Sequence, residues 1–480
     1  MEHYALMIAG ESEPGGRIEV LAPWDQTPIA MVETCGMEGV ARALQTAHAL
    51  FRDRDAWLPS AERIAILERT AVLMRECAET LAVEAAREGG KPLVDSRVEV
   101  TRAIDSIRLC AETLRTEDSD GIPMDIDAAS RGKRAWSVNE PIGVVVAVSA
   151  FNHPLNLIAH QVGPAVAAGC PVIVKPAQDT PLSCFRLVAL LREAGLPEAW
   201  CQALVTDSRE AATRLVTDPR VGFFSFIGSP GVGWKLRSQL APGTRCALEH
   251  GGAAPVIVAE DADFDAALPK LLKGGFYHAG QVCVAVQRVF VHRSRARELA
   301  ERLAKGASAL RIGDPTREES EVGPLIRPAE VARIDEWVRE AQALGGEPLC
   351  GGQILSPTSY ACTVLYDPPD EAKVSREEIF GPVVCVYPYD ALDQAIDRAN
   401  SLPWAFQAAV FSDSLATVQR VIDRIDASAV MVNEHTAFRT DWMPFAGLRH
   451  SGLGVGGIPH TFSEMRVSKM IVMPRKAKGA

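Results

Sequence analysis

The chain has 480 residues, which is too many for one hydrophobic core and predicts two or three domains. Asp and Glu number 61 against 50 Lys and Arg, and the net charge of −11 argues against nucleic acid or an anionic membrane surface as a general partner. A local basic pocket for a small anion remains compatible with this overall charge.

Residues 1–4 lack the basic and apolar regions of a signal peptide. The longest apolar stretch, 155–174, is interrupted by His160, Gln161 and two prolines, so it predicts a buried helix followed by a strand rather than a membrane span. The eleven cysteines show no CxxC pair and no regular spacing, which predicts neither a zinc site nor a disulfide framework. We therefore expect a cytoplasmic protein that binds neither metal nor membrane.

Helical periodicity characterises residues 61–118. Apolar positions recur at helical spacing over 61–90, where Gly89 and Gly90 predict the helix end, and a second helix is predicted over 94–118. The stretch 121–140 is polar and loses this period. A regular pattern resumes at Pro141, so 121–140 is predicted to be a separate segment.

From residue 142, apolar β-branched runs alternate with helical segments. Strands are predicted over 143–148, 171–175, 201–205 and 223–227, and helices over 155–168, 181–194 and 209–216. A second alternating unit runs from about 253 to about 432, with strands near 255–258, 286–292, 383–387, 408–411 and 429–432. The tail 465–473 also has strand character. This alternation predicts an α/β protein with doubly wound sheets.

The most informative motif surrounds Cys283. It follows Gly280 and Gln281, and Glu249 stands 34 residues upstream, also beside glycines that let backbone and substrate approach closely. Asn152 comes shortly after a predicted strand. A thiol nucleophile, a carboxylate base and an amide donor are the groups needed to attack a carbonyl, activate water and hold an oxyanion. The sequence therefore predicts covalent chemistry on a carbonyl.

Three further motifs stand where a nucleotide would bind. The glycine-rich run 226–233 follows a strand and opens a helix, whose free N–H groups favour a pyrophosphate. The run 175–178 ends a strand, and 378–382 combines a glutamate, a phenylalanine and a Gly-Pro turn. In sequence order with Glu249 and Cys283, these motifs resemble the signatures of the NAD(P)-dependent aldehyde dehydrogenase superfamily. The resemblance is collinear from about residue 10 to about residue 475.

The resemblance implies an aldehyde dehydrogenase-like α/β fold with two doubly wound domains and a small β oligomerisation arm. Residues 1–120 and 142–248 would then form an NAD(P)-binding, Rossmann-like domain, and 249–432 a catalytic domain with the nucleophilic cysteine. Residues 121–141 and 462–480 would form the arm, and 433–461 a substrate-tunnel loop that returns to the cofactor domain. Such an arm implies a homodimer or a homotetramer.

Three residues match catalytic positions of the superfamily. Cys283 matches the nucleophile that forms a thiohemiacetal and then a thioester with an aldehyde. Asn152 and the backbone N–H of Cys283 match the donors that hold the oxyanion. Glu249 matches the base that activates the hydrolytic water, and we expect its pKa to be raised in an apolar setting. His250 replaces a more usual leucine beside this base, which leaves an effect on its protonation open.

The resemblance implies NAD or NADP as the cofactor. In the superfamily, residues matching Lys175 and Gln178 contact the adenosine ribose, and Gln178 replaces a glutamate that is usual in NAD-specific members. A glutamine does not repel a 2′-phosphate, so NADP is tolerated, while use of NAD stays equally open. The other matching positions belong to the phosphate-binding turn and the nicotinamide-ribose motif: Gly228, Ser229, Gly233, Glu378 and Phe380.

The substrate tunnel is expected to contain two arginines. Motif alignment places these residues along it: Arg102, Phe151, Leu157, His160, Val282, Val284 and Arg439. Two arginines and a histidine in a small site suggest a carboxylate, phosphonate, phosphate or sulfonate on the aldehyde. The chain resembles the branch with lactaldehyde, phosphonoacetaldehyde and non-phosphorylating glyceraldehyde-3-phosphate dehydrogenases, although the phosphate- and phosphonate-oxidising members tend to have arginine where this chain has Val282.

The same residues leave alternatives to a small polar or anionic aldehyde. Arg102 could pair with Glu99 or Asp105, and Arg439 with Asp441, in which case aromatic or aliphatic aldehydes become candidates. CoA-dependent acyl transfer is a second enzymatic alternative, against which the glutamate base argues because CoA-acylating members often lack it. A catalytically silent binding protein is a third, which the complete catalytic set disfavours.

Overall fold

The computed structural model of the chain describes residues 1–10, 15–117 and 121–475. A three-stranded sheet comes first, in the spatial order Glu2–Tyr4, Pro28–Thr34 and Gly16–Leu21. The helices that follow are Met37–Arg52, the 3-10 turn Arg54–Ala56, Ser60–Glu76, Ala78–Gly89 and Leu93–Arg115. No helix among the described residues is long and apolar enough to cross a lipid bilayer.

A six-stranded sheet forms the first α/β unit. Its spatial order is Gly452–Leu453, Arg245–Glu249, Val221–Ile227, Val144–Val148, Val172–Lys175 and Cys201–Ala203. Only the short edge strand Gly452–Leu453 runs antiparallel to its neighbour. Its helices are Asn156–Ala168, Leu182–Glu193, Glu198–Trp200 (3-10), Arg209–Thr217, Pro230–Arg237 and Ile458–Glu464. Val144 and Val146 face one apolar cluster and Val145 and Ala147 another, so both sheet faces are covered, as predicted.

A seven-stranded sheet forms the second unit. Its spatial order is Glu347–Cys350, Thr363–Tyr366, Val383–Tyr389, Arg288–His292, Pro255–Val258, Gln407–Phe411 and Ala429–Val432. Its helices are Phe264–Phe276, Tyr277–Gly280 (3-10), Arg293–Ala309, Pro328–Ala343, Lys373–Arg376, Leu392–Asn400 and Leu415–Arg424. Two small ribbons pair Ile354–Ser356 with Ser359–Tyr360 and Trp404–Ala405 with Leu448–Arg449. All five strands predicted over 253–432 are present.

A separate three-stranded antiparallel sheet joins distant parts of the chain. Its order is Arg466–Pro474, Lys133–Pro141 and Gly121–Ile122. The predicted tail strand 465–473 is therefore present and pairs with Lys133–Pro141 along its whole length. Residue 118 of the predicted second helix and residues 476–480 of the predicted arm lie outside the described residues.

The helix predicted over 61–90 is two helices, Ser60–Glu76 and Ala78–Gly89. The break is at Cys77, whose φ of −111° and ψ of 22° depart from helical values. A continuous helix of 30 residues would extend about 45 Å, whereas the break lets both shorter helices pack against Leu93–Arg115. Gly90, with φ of 77°, ends the second helix in the left-handed conformation that favours glycine.

Candidate active site

Two of the predicted catalytic residues lie at the carboxyl end of the six-stranded sheet. Asn152 lies just beyond strand Val144–Val148. Glu249 is the last residue of strand Arg245–Glu249. Both strands run parallel to Val221–Ile227, which lies between them, so their carboxyl ends meet at one edge. Open α/β sheets bind their ligands at this edge.

Cys283 reaches the same edge on a loop of the seven-stranded unit. Before it, His278 and Ala279 adopt left-handed φ values of 51° and 53°, which are uncommon for residues with a side chain. Gly280 completes the turn with φ of 70°, at a point where a Cβ would collide with a neighbouring backbone carbonyl. The turn brings Cys283 Sγ to 3.9 Å from Glu249 Oε1.

The cysteine loop also orients Asn152. The side chain of Asn152 is buried, and its Nδ2 donates to the backbone carbonyl of Gln281 at 2.9 Å. The side chain of Gln281 fixes the loop in turn, because it donates to two backbone carbonyls and accepts from the N–H of Ile326. An amide nitrogen has two hydrogens, so Asn152 keeps one for a group in the cavity.

Glu99 holds the helix behind Asn152. Its Oε1 accepts hydrogen bonds from the N–H groups of Leu155 and Asn156 at 2.9 and 3.0 Å, and its Oε2 forms a buried ion pair with Lys91. A carboxylate stabilises a helix N-terminus, where backbone N–H groups lack partners. Sequence reasoning missed this role, since the helix it caps begins 57 positions further along the chain.

Burial sets the protonation states of the nucleophile and the base. Burial, together with Glu249 and Glu378, raises the pKa of the Cys283 thiol well above its usual range, and Arg439 opposes this shift. Burial also raises the pKa of Glu249, again opposed by Arg439. A thiol that is neutral at rest needs a base within reach to become a nucleophile, and Glu249 is the nearest such group.

One cavity of about 530 Å³ contains these catalytic groups, a volume typical of small-molecule sites. The predicted site residues that line it are Arg102, Phe151, Asn152, Leu157, Gly228, Ser229, Glu249, Val282, Cys283, Val284, Glu378, Phe380 and Arg439. Outside its lining lie Lys175, Gln178, Gly233 and His160. Tyr277 and Phe445 also line the cavity; no periodicity or motif separates them from core aromatic residues in the sequence.

One end of the cavity fits a dinucleotide. Ser229 precedes helix Pro230–Arg237 and makes no capping hydrogen bond, so its hydroxyl and the helix N–H groups are available to a phosphate. Glu378 Oε1 is buried without a hydrogen-bond partner in the described chain, and burial raises the pKa of this carboxyl to about 8. Gly251 lies against the same carboxyl, with no room for a Cβ. A free hydroxyl and an uncommitted carboxyl group suit a pyrophosphate and a ribose.

Two predicted cofactor residues lie at the end of the neighbouring strand Val172–Lys175. Lys175 Nζ donates to the carbonyl of Pro176 at 3.4 Å, and burial lowers the pKa of the amine. Gln178 is exposed, and its amide donates to the carbonyl of Thr206 at 3.2 Å.

His250 packs beneath the phosphate-binding turn. Its Nδ1 donates to the carbonyl of Gly228 at 2.8 Å, and its ring lies so close to Gly233 that a Cβ there would collide with it. Phe226 contacts the ring from another side. Burial and Arg439 shift the pKa of Glu249, whereas His250 contacts Gly228 and Gly233 of the glycine-rich turn.

Asp441 organises the opposite end of the cavity. Its two oxygens accept hydrogen bonds from Arg102 at 2.7 and 3.1 Å, and Oδ1 lies 2.8 Å from His160 Nε2. Burial opposes ionisation, yet these bonds hold the pKa of Asp441 well below its usual range. Arg102 thus pairs with neither Glu99 nor Asp105. Its partner is 339 positions away in the chain, a distance that no local pattern reports.

Arg439 contacts this network only through His160. Its guanidinium stacks over the ring of Phe445, 3.6 Å from the centroid, and its Nη2 faces His160 Nδ1 at 3.5 Å. Asp441 is engaged by Arg102 and His160, so the pair between Arg439 and Asp441 does not form. Within the described ranges, Arg439 Nε is buried without a hydrogen-bond partner. Burial lowers the pKa of its guanidinium.

The chain is similar to known proteins over almost its whole length. A family model described as the aldehyde dehydrogenase family matches residues 10–471. A 3-sulfolactaldehyde dehydrogenase of Priestia aryabhattai is 34% identical over 474 residues, which cover 98% of each chain. Aldehyde dehydrogenase 21 of Physcomitrella patens, solved with its reaction product succinate, has a TM-score of 0.94 and 33% identity over 99% of both chains.

A second solved structure is similar in the same way. Glyceraldehyde-3-phosphate dehydrogenase of Methanocaldococcus jannaschii, complexed with NADP, has a TM-score of 0.91 and 30% identity, covering 97% of this chain and 100% of that one. The family match, the shared fold and the geometry of the cavity agree. The chain belongs to the aldehyde dehydrogenase family and is an NAD(P)-dependent aldehyde dehydrogenase.

Proposed function

We propose that this enzyme oxidises a small anionic aldehyde to the corresponding carboxylic acid. The observation that supports this most is the position of Arg439, whose charge no carboxylate of the described chain pairs, in one cavity with Cys283 and Glu249. One relative is named for 3-sulfolactaldehyde, and another was solved with succinate. 3-Sulfolactaldehyde contains a sulfonate, and succinate contains carboxylates.

Cys283 begins the reaction. Glu249 takes the thiol proton, and the thiolate attacks the carbonyl carbon to give a thiohemiacetal. Asn152 Nδ2 and the backbone N–H of Cys283 donate to the resulting oxyanion, and such a donor is worth about 3–4 kcal/mol in the transition state. NAD(P), when bound, accepts the hydride that leaves this carbon. The acyl group then remains on Cys283 as a thioester.

Glu249 acts again in hydrolysis. Once it has released the first proton to solvent, it takes a proton from the water molecule that attacks the thioester. The bond between the acyl carbon and sulfur breaks, the carboxylic acid leaves, and the sulfur recovers a proton. A carboxylate whose pKa is raised by burial is a stronger base than an exposed one, which suits this step.

The function can be tested by following the absorbance of NAD(P)H as it forms. The aldehydes are succinic semialdehyde, lactaldehyde, benzaldehyde and hexanal, and each is assayed with NAD and with NADP. We expect succinic semialdehyde to have the highest kcat/KM. Cys283→Ala should abolish turnover and leave cofactor affinity, measured by fluorescence titration, unchanged.

A higher kcat/KM for benzaldehyde or hexanal would contradict the proposal that the substrate is anionic, while the proposal of aldehyde oxidation would stand. A strict requirement for CoA would instead identify acyl transfer to a thiol.

We also propose roles for the larger units. Residues 1–120 and 142–248 bind the cofactor, 249–432 carry the nucleophile, and 433–461 close the substrate end. The sheet of 121–141 and 462–475 is proposed as an arm between subunits of a homodimer or homotetramer. Its edge strand Arg466–Pro474 supports this, because Met470 and Val472 are exposed on it and exposed edge strands pair readily with another chain.

A further inference from the structure

We propose that the substrate end of the cavity accepts a single negative charge, so that the substrate is an aldehyde with a carboxylate or a sulfonate and not with a doubly charged phosphate or phosphonate. The inference rests on the function proposed above and narrows its substrate class. Relatives of both kinds exist, since one is named for a sulfonated aldehyde and another for a phosphorylated one. Family membership therefore does not determine how many negative charges the substrate carries.

The two arginines of this end contribute one net positive charge. Arg102 is neutralised by Asp441 through two hydrogen bonds of 2.7 and 3.1 Å. The hydrogen bonds from Arg102 and His160 keep Asp441 ionised. Arg439 has no carboxylate within salt-bridge distance among the described residues, and its Nε lacks any hydrogen-bond partner there. The charge that remains is that of Arg439.

The other ionisable groups around this end do not add a second positive charge. Burial lowers the pKa of His160 to about 4 and that of His153 well below its usual range, so both imidazoles are neutral near pH 7. Burial raises the pKa of Tyr277, which keeps its hydroxyl protonated. At the distant end of the cavity, Arg327 and Arg333 are paired with Asp179 and Glu330, each at 2.9 Å.

Asp441 also fixes the direction in which Arg439 points. Because Nε2 of His160 donates to the Asp441 carboxylate, the proton of the neutral imidazole is on Nε2 and the lone pair is on Nδ1. That lone pair faces Arg439 Nη2 at 3.5 Å. Phe445 supports the guanidinium from below. Arg439 lines the cavity, so the other Nη N–H groups of its guanidinium can donate to an oxyanion there, and His160 is a positioning residue behind the wall of the cavity.

A second negative charge would have no partner in this arrangement. A buried ion without a counter-charge is costly, and the carboxylates whose charges act on Arg439, Glu249 and Asp441, would repel it. A carboxylate or a sulfonate matches the charge of Arg439, and both present oxygen atoms to its planar guanidinium. A neutral group would leave the Arg439 donors without partners after it displaced water.

Three aldehydes of the same length and similar shape test the inference: sulfoacetaldehyde, phosphonoacetaldehyde and 3,3-dimethylbutanal. At a pH where the phosphonate is doubly ionised, their head groups carry one, two and no negative charges. We expect kcat/KM for sulfoacetaldehyde to exceed that for each of the others by about tenfold or more, the ratio that a charged hydrogen bond supplies. An equal or higher value for phosphonoacetaldehyde would overturn the inference.

Asp441→Asn provides the decisive comparison. It removes the charge that neutralises Arg102, so the site gains a second positive charge, and the ratio of kcat/KM for sulfoacetaldehyde over phosphonoacetaldehyde should fall at least about tenfold. Asp218→Asn is the matched control, because Asp218 is also a buried partner of arginines but lies outside the cavity. The control should keep the wild-type ratio. An unchanged ratio of the two kcat/KM values in Asp441→Asn would contradict the single net positive charge assigned to Arg102, Asp441 and Arg439.

Arg102→Gln keeps the test decisive if Asp441→Asn does not fold. It leaves Asp441 to cancel Arg439, so both anionic aldehydes should lose kcat/KM relative to 3,3-dimethylbutanal; retained preference for sulfoacetaldehyde would overturn the inference. Oxidation of the neutral aldehyde at the same rate as both anions would refute the inference and leave aldehyde oxidation intact. If none of the three aldehydes reduced NAD(P), the proposed function and the inference would both fail.

Discussion

At the scale of single residues, Arg439 links substrate recognition to the chemistry. It lowers the pKa of both Cys283 and Glu249, in opposition to the burial that raises them. The same guanidinium is the group proposed to bind the substrate anion. An anion bound to it would weaken this influence, so the protonation of nucleophile and base is expected to differ between the free and the loaded enzyme.

Arg439→Gln should therefore move the pH profile as well as weaken binding. Without the positive charge, the pKa values of Cys283 and Glu249 rise further. The acid limb of kcat/KM, which requires Glu249 to be ionised so that it can take the thiol proton, therefore shifts to higher pH. The profile is best measured with 3,3-dimethylbutanal, which does not use the lost charge. Arg317→Gln, an exposed change, is the control. An acid limb at the wild-type pH in Arg439→Gln would show that the charge does not act on these groups.

Glu249→Gln separates the two roles of the base. We expect kcat to fall about 10²- to 10⁴-fold, the usual contribution of a general base, because the glutamine cannot deprotonate water. The thioester should still form at high pH, where the thiol ionises unaided, and rapid mixing should then show one burst of NAD(P)H per site followed by a stall. Steady turnover at the wild-type rate would remove Glu249 from the mechanism.

At the scale of elements, the phosphate-binding turn depends on a close contact across two strands. The ring of His250 occupies the space beside Gly233, and its Nδ1 holds the carbonyl of Gly228. The glycine-rich turn could be predicted from the sequence because glycines between a strand and a helix typically allow a tight turn. The contact of His250 with this turn could not be predicted, because its partner is a backbone carbonyl 22 positions earlier.

Gly233→Ala should push the His250 ring out of place and weaken cofactor binding. Such overpacking costs about 1–3 kcal/mol, which corresponds to a rise in the Kd for NAD(P) of about fivefold or more. The double change Gly233→Ala with His250→Ala should recover part of the loss, because the closest colliding ring is gone and only the contact with Phe226 remains. Gly231→Ala is the control, since a Cβ at Gly231 meets no atom within 4 Å. Equal loss in the single and double variants would contradict the contact.

At the scale of the whole molecule, the alternation of strands and helices over 142–227 followed from the sequence. The three N-terminal strands and the contacts between distant segments did not. Runs such as 144–148 are apolar throughout and mostly β-branched, a pattern typical of a strand that is covered on both faces. The pairing of Arg102 with Asp441 joins two side chains that are distant in the chain, and Glu99 accepts hydrogen bonds from the backbone of another helix. Polar residues of this kind also occur on solvated helix faces, so their partners become visible only in three dimensions.

The proposed subunit arm can be tested through its edge strand. Met470 and Val472 lie on one face of Arg466–Pro474 and are 61% and 47% exposed, enough for contact with another chain. Changing both to glutamate should shift the protein towards smaller assemblies in analytical ultracentrifugation, because buried charges disfavour an apolar interface. Val72→Glu, at an exposed apolar position on helix Ser60–Glu76, should leave the mass unchanged. An unchanged mass for the double variant would place the interface elsewhere.

The hydrogen bond from Asn152 to the carbonyl of Gln281 has a consequence for how the enzyme works as a machine. Its donor is anchored to the six-stranded sheet, and its acceptor lies two residues before Cys283, on a loop of the seven-stranded unit. Any motion that separates the two sheets must break this bond and move Asn152 away from the sulfur of Cys283. With Asn152 in its proposed role as an oxyanion donor, we therefore expect the enzyme to be active only while the two sheets stay in contact at this bond.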